Sequence, residues 1–108
     1  MLRRMYRLRS RSKLTNARSI TAPFFLLKLV PNGLSYNRYG FVVSKRIDKR
    51  AVVRNRIRRL LRSCIENTIE HIQGGYDMLF IVRKNMLDQS NTICQTVQAT
   101  LRNQKLLA

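Results

Sequence analysis

The sequence predicts a single α+β domain, and three observations carry that prediction. The chain has 108 residues of which 44% are hydrophobic, enough for one modest core. A long stretch from Ala51 onward places apolar residues at helical spacing, and apolar segments elsewhere are bounded by turn signals and read as strands. Helix, strands, helix, strand and helix then follow one another along the chain, a segregated α+β order.

The elements are justified in turn. Residues 1–11 (MLRRMYRLRSR) form a basic N-terminal arm, and residues 12–108 form the domain. Ser12 or Thr15 can cap a short helix over 13–19. Residues 19–22 offer a weak extra edge strand. The bulky apolar run at 24–30 is a strand that ends at Pro31-Asn32-Gly33, a strong turn signal. YGFVVS at 39–44 is a second strand, expected to lie antiparallel to the first across that turn. The clearest helix covers 51–72: Ile57, Leu60, Leu61, Cys64, Ile65, Thr68, Ile69 and Ile72 form one stripe, and Gly74-Gly75 ends it. YDMLFIV at 76–82 is a buried strand. Asp88 or Ser90 can cap a last helix in which Ile93, Val97 and Leu101 recur every four residues.

Charge is the feature that reaches beyond fold. There are 22 Lys and Arg against 5 Asp and Glu, a formal net charge of +17. Residues 1–62 hold 18 of the basic side chains and a single acid, Asp48; residues 63–108 hold four of each sign. Solubility requires no such segregation, whereas a polyanionic partner does. The apolar stretch at 23–30 is broken by Lys28 and too short to span a bilayer, and no apolar segment of signal-peptide type follows the basic N-terminus. Cys64 and Cys94 form no CxxC pair and fall in helical patterns, so they are expected to be small core residues, reduced in a cytoplasmic protein.

The segment KRIDKRAVVRNRIRRLLR, residues 45–62, has nine basic residues among 18. On a wheel at about 100° per residue its apolar side chains fill an arc of roughly 140°. Arg54, Arg58 and Arg62 make a stripe beside that arc, Asn55 and Arg59 follow around the surface, and Arg56 lies on the other flank. One face suits a core and the other presents guanidinium forks, which match phosphate oxygens and stack on bases. A merely solvated face usually alternates acids with bases, and this one does not. The arm adds Arg3, Arg4, Arg7, Arg9 and Arg11 around Tyr6, a composition that can track a single strand or remain a basic tail.

GFVVSKR at 40–46 followed by AVVRNRIRRLLR at 51–62, with GYDMLFIVR at 75–83, resembles the bacterial ribonuclease P protein subunit family. The resemblance implies an αβββαβα domain of the ribosomal protein S5 domain 2-like type, with a left-handed βαβ crossover around the RNR helix. It implies two partners, ribonuclease P RNA and precursor tRNA, with neither membrane nor DNA expected. The RNA would carry the catalytic centre. Mg²⁺ would be required by the holoenzyme, with no cofactor bound by this chain alone. The protein would promote hydrolytic removal of the 5′ leader. Lys45, Arg46, Arg54, Asn55, Arg56 and Arg59 match positions near the catalytic RNA. Leu14, Arg18, Lys28, Arg58 and Arg62 match positions of the leader cleft. Leu14 stands where the family usually has Phe, another aromatic is common near Arg18, and Lys28 replaces a common cleft Tyr. The implied stacking platform is therefore thinner, with cations in two of its places. The family's loop glycine before the RNR helix is also replaced within residues 47–50.

The residues themselves supply no self-contained catalytic site. Glu66 and Glu70 read as ordinary surface acids, His71 is the one histidine in the sequence, and no GK[ST] follows Gly74-Gly75. The rival readings are a small ribosomal-type RNA-binding protein without a role in cleavage, a helix-turn-helix DNA module, and a membrane-surface peptide. Strand-like YGFVVS before the basic helix disfavours the second. Strands able to cover its apolar arc disfavour the third.

Overall fold

A strand as apolar as YDMLFIV needs cover on both faces, and the fold gives it a central position. The computed structural model describes residues 7–8, 17–85, 87 and 90–107, with Ser90 described by its backbone alone. Among these residues the chain forms β1 (Arg18–Thr21), β2 (Phe25–Pro31), β3 (Arg38–Val42), α1 (Ala51–Glu66), a 3-10 turn (Ile69–His71), β4 (Tyr76–Val82) and α2 (Ser90–Asn103). The sheet order is β1-β2-β4-β3. The α+β prediction holds. Of the short helix expected over 13–19, residues 13–16 lie outside the described residues, while Arg18 and Ser19 belong to β1.

The antiparallel hairpin expected between the second and third strands does not form. β4 inserts between them, antiparallel to β2 and parallel to β3, so that β3-α1-β4 is a crossover unit. The side chains give the reason. Asp77, near the start of β4, lies level with Val30 and Arg38. Its carboxylate accepts hydrogen bonds from Asn32 at 3.0 Å and from both Nε and Nη2 of Arg38 at 2.8 and 2.7 Å. The turn at Pro31-Asn32-Gly33 is real, with Gly33 at φ +72° where other residues are strained. It opens into an arch wide enough to admit a strand: Asn32 also accepts from the Leu34 N–H and donates to the Tyr36 carbonyl.

One sheet face, with Phe25, Leu27, Leu29, Tyr39, Phe41, Met78, Phe80 and Val82, packs on both helices. From α1 it receives Val53, Ile57, Leu61, Cys64 and Ile65, and from α2 Ile93, Val97 and Leu101. Phe80 lies edge-on to Phe25 and stacked with Phe41, at centroid distances of 5.2 and 5.5 Å. At the two β3–β4 and β2–β4 edges of the opposite face, Lys28, Leu79 and Gly40 form one cross-strand row.

The predicted helix over 51–72 ends earlier, at Glu66. The Thr68 hydroxyl bonds the Cys64 and Ile65 carbonyls at 3.3 and 3.5 Å, competing with the helical ladder. Ile72 then pairs with Leu107, and the Gln73 N–H donates to the Leu106 carbonyl at 2.7 Å. Pairing with the C-terminal segment thus outweighs a further helical turn. Cys64 is a core residue as expected, but it is not a reduced thiol: Cys64 and Cys94 form a disulfide that joins α1 to α2, with Cα atoms 5.1 Å apart. The packing of α1 on α2 brings two helical cysteines 30 residues apart face to face, a proximity invisible to spacing rules. Asp88 and the Ser90 side chain, the two candidate caps of α2, lie outside the described residues. No described helix is long and apolar enough to cross a membrane.

Candidate nucleic-acid interface

α1 is a good helix for its residues but a poor one for its charges. Its first turn has no acid and its last turn no base, so the cations crowd the positive end of the helix dipole. Arg54, Arg58 and Arg62 repel one another at i, i+4, at a cost of about 0.3–0.5 kcal/mol per pair. Burial of the four aliphatic side chains Val53, Ile57, Leu61 and Ile65 at roughly 1.5–3 kcal/mol each far outweighs this. The helix is held by the core and left cationic at its surface.

The stripe is half-buried, while Asn55, Arg56 and Arg59 are exposed. Arg54 Nη1 donates to the Asp48 and Lys49 carbonyls at 3.1 and 2.8 Å. Arg58 donates to Asn55 Oδ1 at 2.7 Å and, at 3.4 Å, to the Val43 carbonyl at the end of β3. Burial, and then the charges of Arg54 and Arg62, lower the Arg58 pKa below the ordinary arginine value. Neither guanidinium is turned onto a carboxylate. Asp48 instead pairs with Arg50 at 3.0 Å, which with the Arg50 N–H holds its carboxyl down at about 2. Lys45 and Arg46 are exposed in the turn after β3, beside Lys49. Among the described residues, no hydrogen bond or ion pair engages Lys45, Arg46, Arg56, Arg59 or Arg62.

Beside the stripe lies an open cleft of about 190 Å³, lined by Arg7, Leu8, Tyr39, Gly40, Phe41, Arg58 and Arg62. Its far wall is the N-terminal segment. Arg7 bridges to Tyr39 in parallel, and the Leu8 N–H donates to the Tyr39 carbonyl at 2.7 Å. Gly40 permits this approach. A Cβ there would stand 2.9 Å from Leu79 Cδ1 and 3.3 Å from the Leu8 carbonyl oxygen. The cleft offers three cations and main-chain atoms, groups that hold a phosphodiester strand, over a floor whose aromatics, Tyr39 and Phe41, belong to the buried core.

The predicted site residues separate into groups. Lys45, Arg46, Arg54, Asn55, Arg56 and Arg59 lie together on α1 and the turn before it. Arg58 and Arg62 line the cleft. Lys28 is half-buried on the sheet face away from the helices, in the row that runs through Leu79 to Gly40, about 10 Å from Gly40 at the usual strand spacing. Arg18 lies on the β1 edge, level with Leu29 and at the far side of the sheet from the cleft. Leu14 lies outside the described residues. Sequence reading did not single out Leu8, Tyr39, Gly40 or Phe41. A glycine inside a strand pattern is the signal that was present, since it marks close backbone approach.

The described residues contain no group of three or more His, Cys, Asp or Glu able to hold a metal ion. No step of a reaction is assigned to a metal on this chain.

Comparisons with known proteins bear on the family and the fold. The family model for Ribonuclease P matches residues 2–105. A ribonuclease P protein component of Chloroflexus aurantiacus is 37% identical over 112 residues, covering 98% of this chain and 82% of the relative. One from Caldanaerobacter subterraneus subsp. tengcongensis is 32% identical over 93 residues, covering 85% and 79%. The RNase P protein from Thermotoga maritima shares the fold, with a TM-score of 0.79 at 24% identity over 90% of this chain and 96% of that one. With the family model spanning nearly the whole sequence, the chain belongs to the ribonuclease P protein family.

Proposed function

We propose that this chain is the protein subunit of ribonuclease P and that it binds two RNAs at once. The cations of α1 and of the turn before it face the catalytic RNA. The cleft holds the single-stranded 5′ leader of precursor tRNA. The observation that carries this reading is the juxtaposition of uncompensated arginines on α1 with a cleft walled by Arg7, Arg58 and Arg62.

In this reading the protein contributes binding and orientation. Its guanidiniums neutralise phosphates that otherwise repel one another where substrate and catalytic RNA meet. Placing the leader favours attack at the bond that joins it to the mature tRNA. Hydrolysis then leaves a 5′ phosphate on the tRNA. The catalytic centre and its Mg²⁺ belong to the RNA, and the cytoplasm, where precursor tRNA is found, is the compartment of action.

The test is reconstitution. Added to a bacterial ribonuclease P RNA at low Mg²⁺, the protein is expected to restore precursor tRNA cleavage. No stimulation, with the RNA active alone at high Mg²⁺, would reject the role and favour an RNA-binding protein of ribosomal type.

A further inference from the structure

The turn between β3 and α1 carries four exposed cations on a few residues, Lys45, Arg46, Lys49 and Arg50, of which Arg50 pairs with Asp48. Such a turn repels itself, so something must hold it in one shape. The Ile47 N–H donates to the Ser44 carbonyl at 3.1 Å, and Ile47 packs against the core. Asp48 Oδ1 accepts the Arg50 N–H at 2.9 Å. The Arg50 guanidinium pairs with the same carboxylate at 3.1 and 3.0 Å, and a further tie comes from the helix: Arg54, one turn into α1, reaches back so that Nη1 bonds the Asp48 and Lys49 carbonyls together. Those two bonds are directed at main chain, so they fix the path of the turn whatever its side chains do. The Arg54 side chain is half-buried, unlike Arg56 and Arg59. Its Nη1 is already engaged where theirs are open.

We infer that Arg54 serves the RNA interface as a positioning residue, bracing the 44–50 turn so that Lys45, Arg46 and Lys49 meet phosphates in a preset arrangement. This rests on the reading of that face as RNA-binding. The brace lowers the ordering cost of binding, because the turn is already fixed before RNA arrives. Arg56 and Arg59 remain the direct contacts.

Two measurements test it, both on Arg54→Met, which keeps the aliphatic stem and a good helix former but removes the donors. In the free protein, amide hydrogen exchange at Ile47 and Arg50 should rise about ten-fold or more, while amides from Ile57 onward keep their protection. Unchanged exchange at the turn would overturn the inference. The second measurement is a double-mutant cycle, using Thermotoga maritima ribonuclease P RNA as the probe. Arg54→Met should weaken binding about ten-fold in the wild-type background, but less than about two-fold when Lys45, Arg46 and Lys49 are already alanine. The same loss in both backgrounds overturns it, since direct contact or a general loss of folded protein would give that result. If the wild-type protein has no affinity for the RNA, the interface reading itself falls. The exchange measurement, which needs no RNA, still decides whether Arg54 holds the turn.

Discussion

Arg58 is bound on two sides, to Asn55 and to the end of β3, and repelled by Arg54 and Arg62. A phosphate in the cleft that both Arg58 and Arg62 line would relieve that repulsion. Arg58→Ala and Arg62→Ala should each weaken binding of precursor tRNA by about ten-fold, the scale of one charge-assisted hydrogen bond. Leaderless tRNA should lose much less, and equal losses in a binding assay would remove the leader from the cleft. Asp77 gives a different test. Burial raises its pKa, but hydrogen bonds from Arg38 and Asn32 and the Arg38 charge outweigh burial and leave it below the ordinary aspartate value. A depressed carboxylate stabilises the fold above its unfolded pKa, and that contribution is lost as pH falls through the folded one. Stability should therefore drop below about pH 4. Asp77→Asn should cost roughly 1–3 kcal/mol at neutral pH and flatten that acid limb, as read from urea midpoints across pH. At this scale the arginine stripe was legible because a helix has one period. The separation of Arg18 from the cleft was not, since it depends on β4 inserting between β2 and β3, a strand order that no local pattern encodes.

Between elements, the Cys64–Cys94 bond fastens α1 to α2 across 30 residues of sequence. Closing a loop of that size contributes about 2–4 kcal/mol. Reductant should lower the urea midpoint by a corresponding amount, and the native protein should show no reactive thiol at these positions until reduced. Two reactive thiols in untreated protein, with a midpoint indifferent to reductant, would contradict the pairing. The strands and both long helices were legible from periodicity and turn residues. Three features were not. The early end of α1, the disulfide and the insertion of β4 are all tertiary choices, made by Leu107 pairing with Ile72, by α2 packing on α1 and by Asp77 bridging Asn32 to Arg38. No local window contains both partners of any of them.

For the molecule as a whole, net charge of +17 resides in the half that builds α1, its preceding turn and the cleft. The core tolerates this repulsion, so an anion that occupies the ridge should stabilise the fold by mass action. Sulfate at millimolar concentration should raise the melting temperature more than chloride at equal ionic strength, and Arg58→Ala with Arg62→Ala should reduce the difference. The central claim, that α1 is an open cationic ridge made for RNA backbone, is tested most directly by the salt dependence of RNA binding. If about six to ten phosphates are neutralised, affinity for ribonuclease P RNA should fall by roughly 10³ to 10⁵ between 50 and 200 mM salt. An affinity that stays level across that range would contradict the claim.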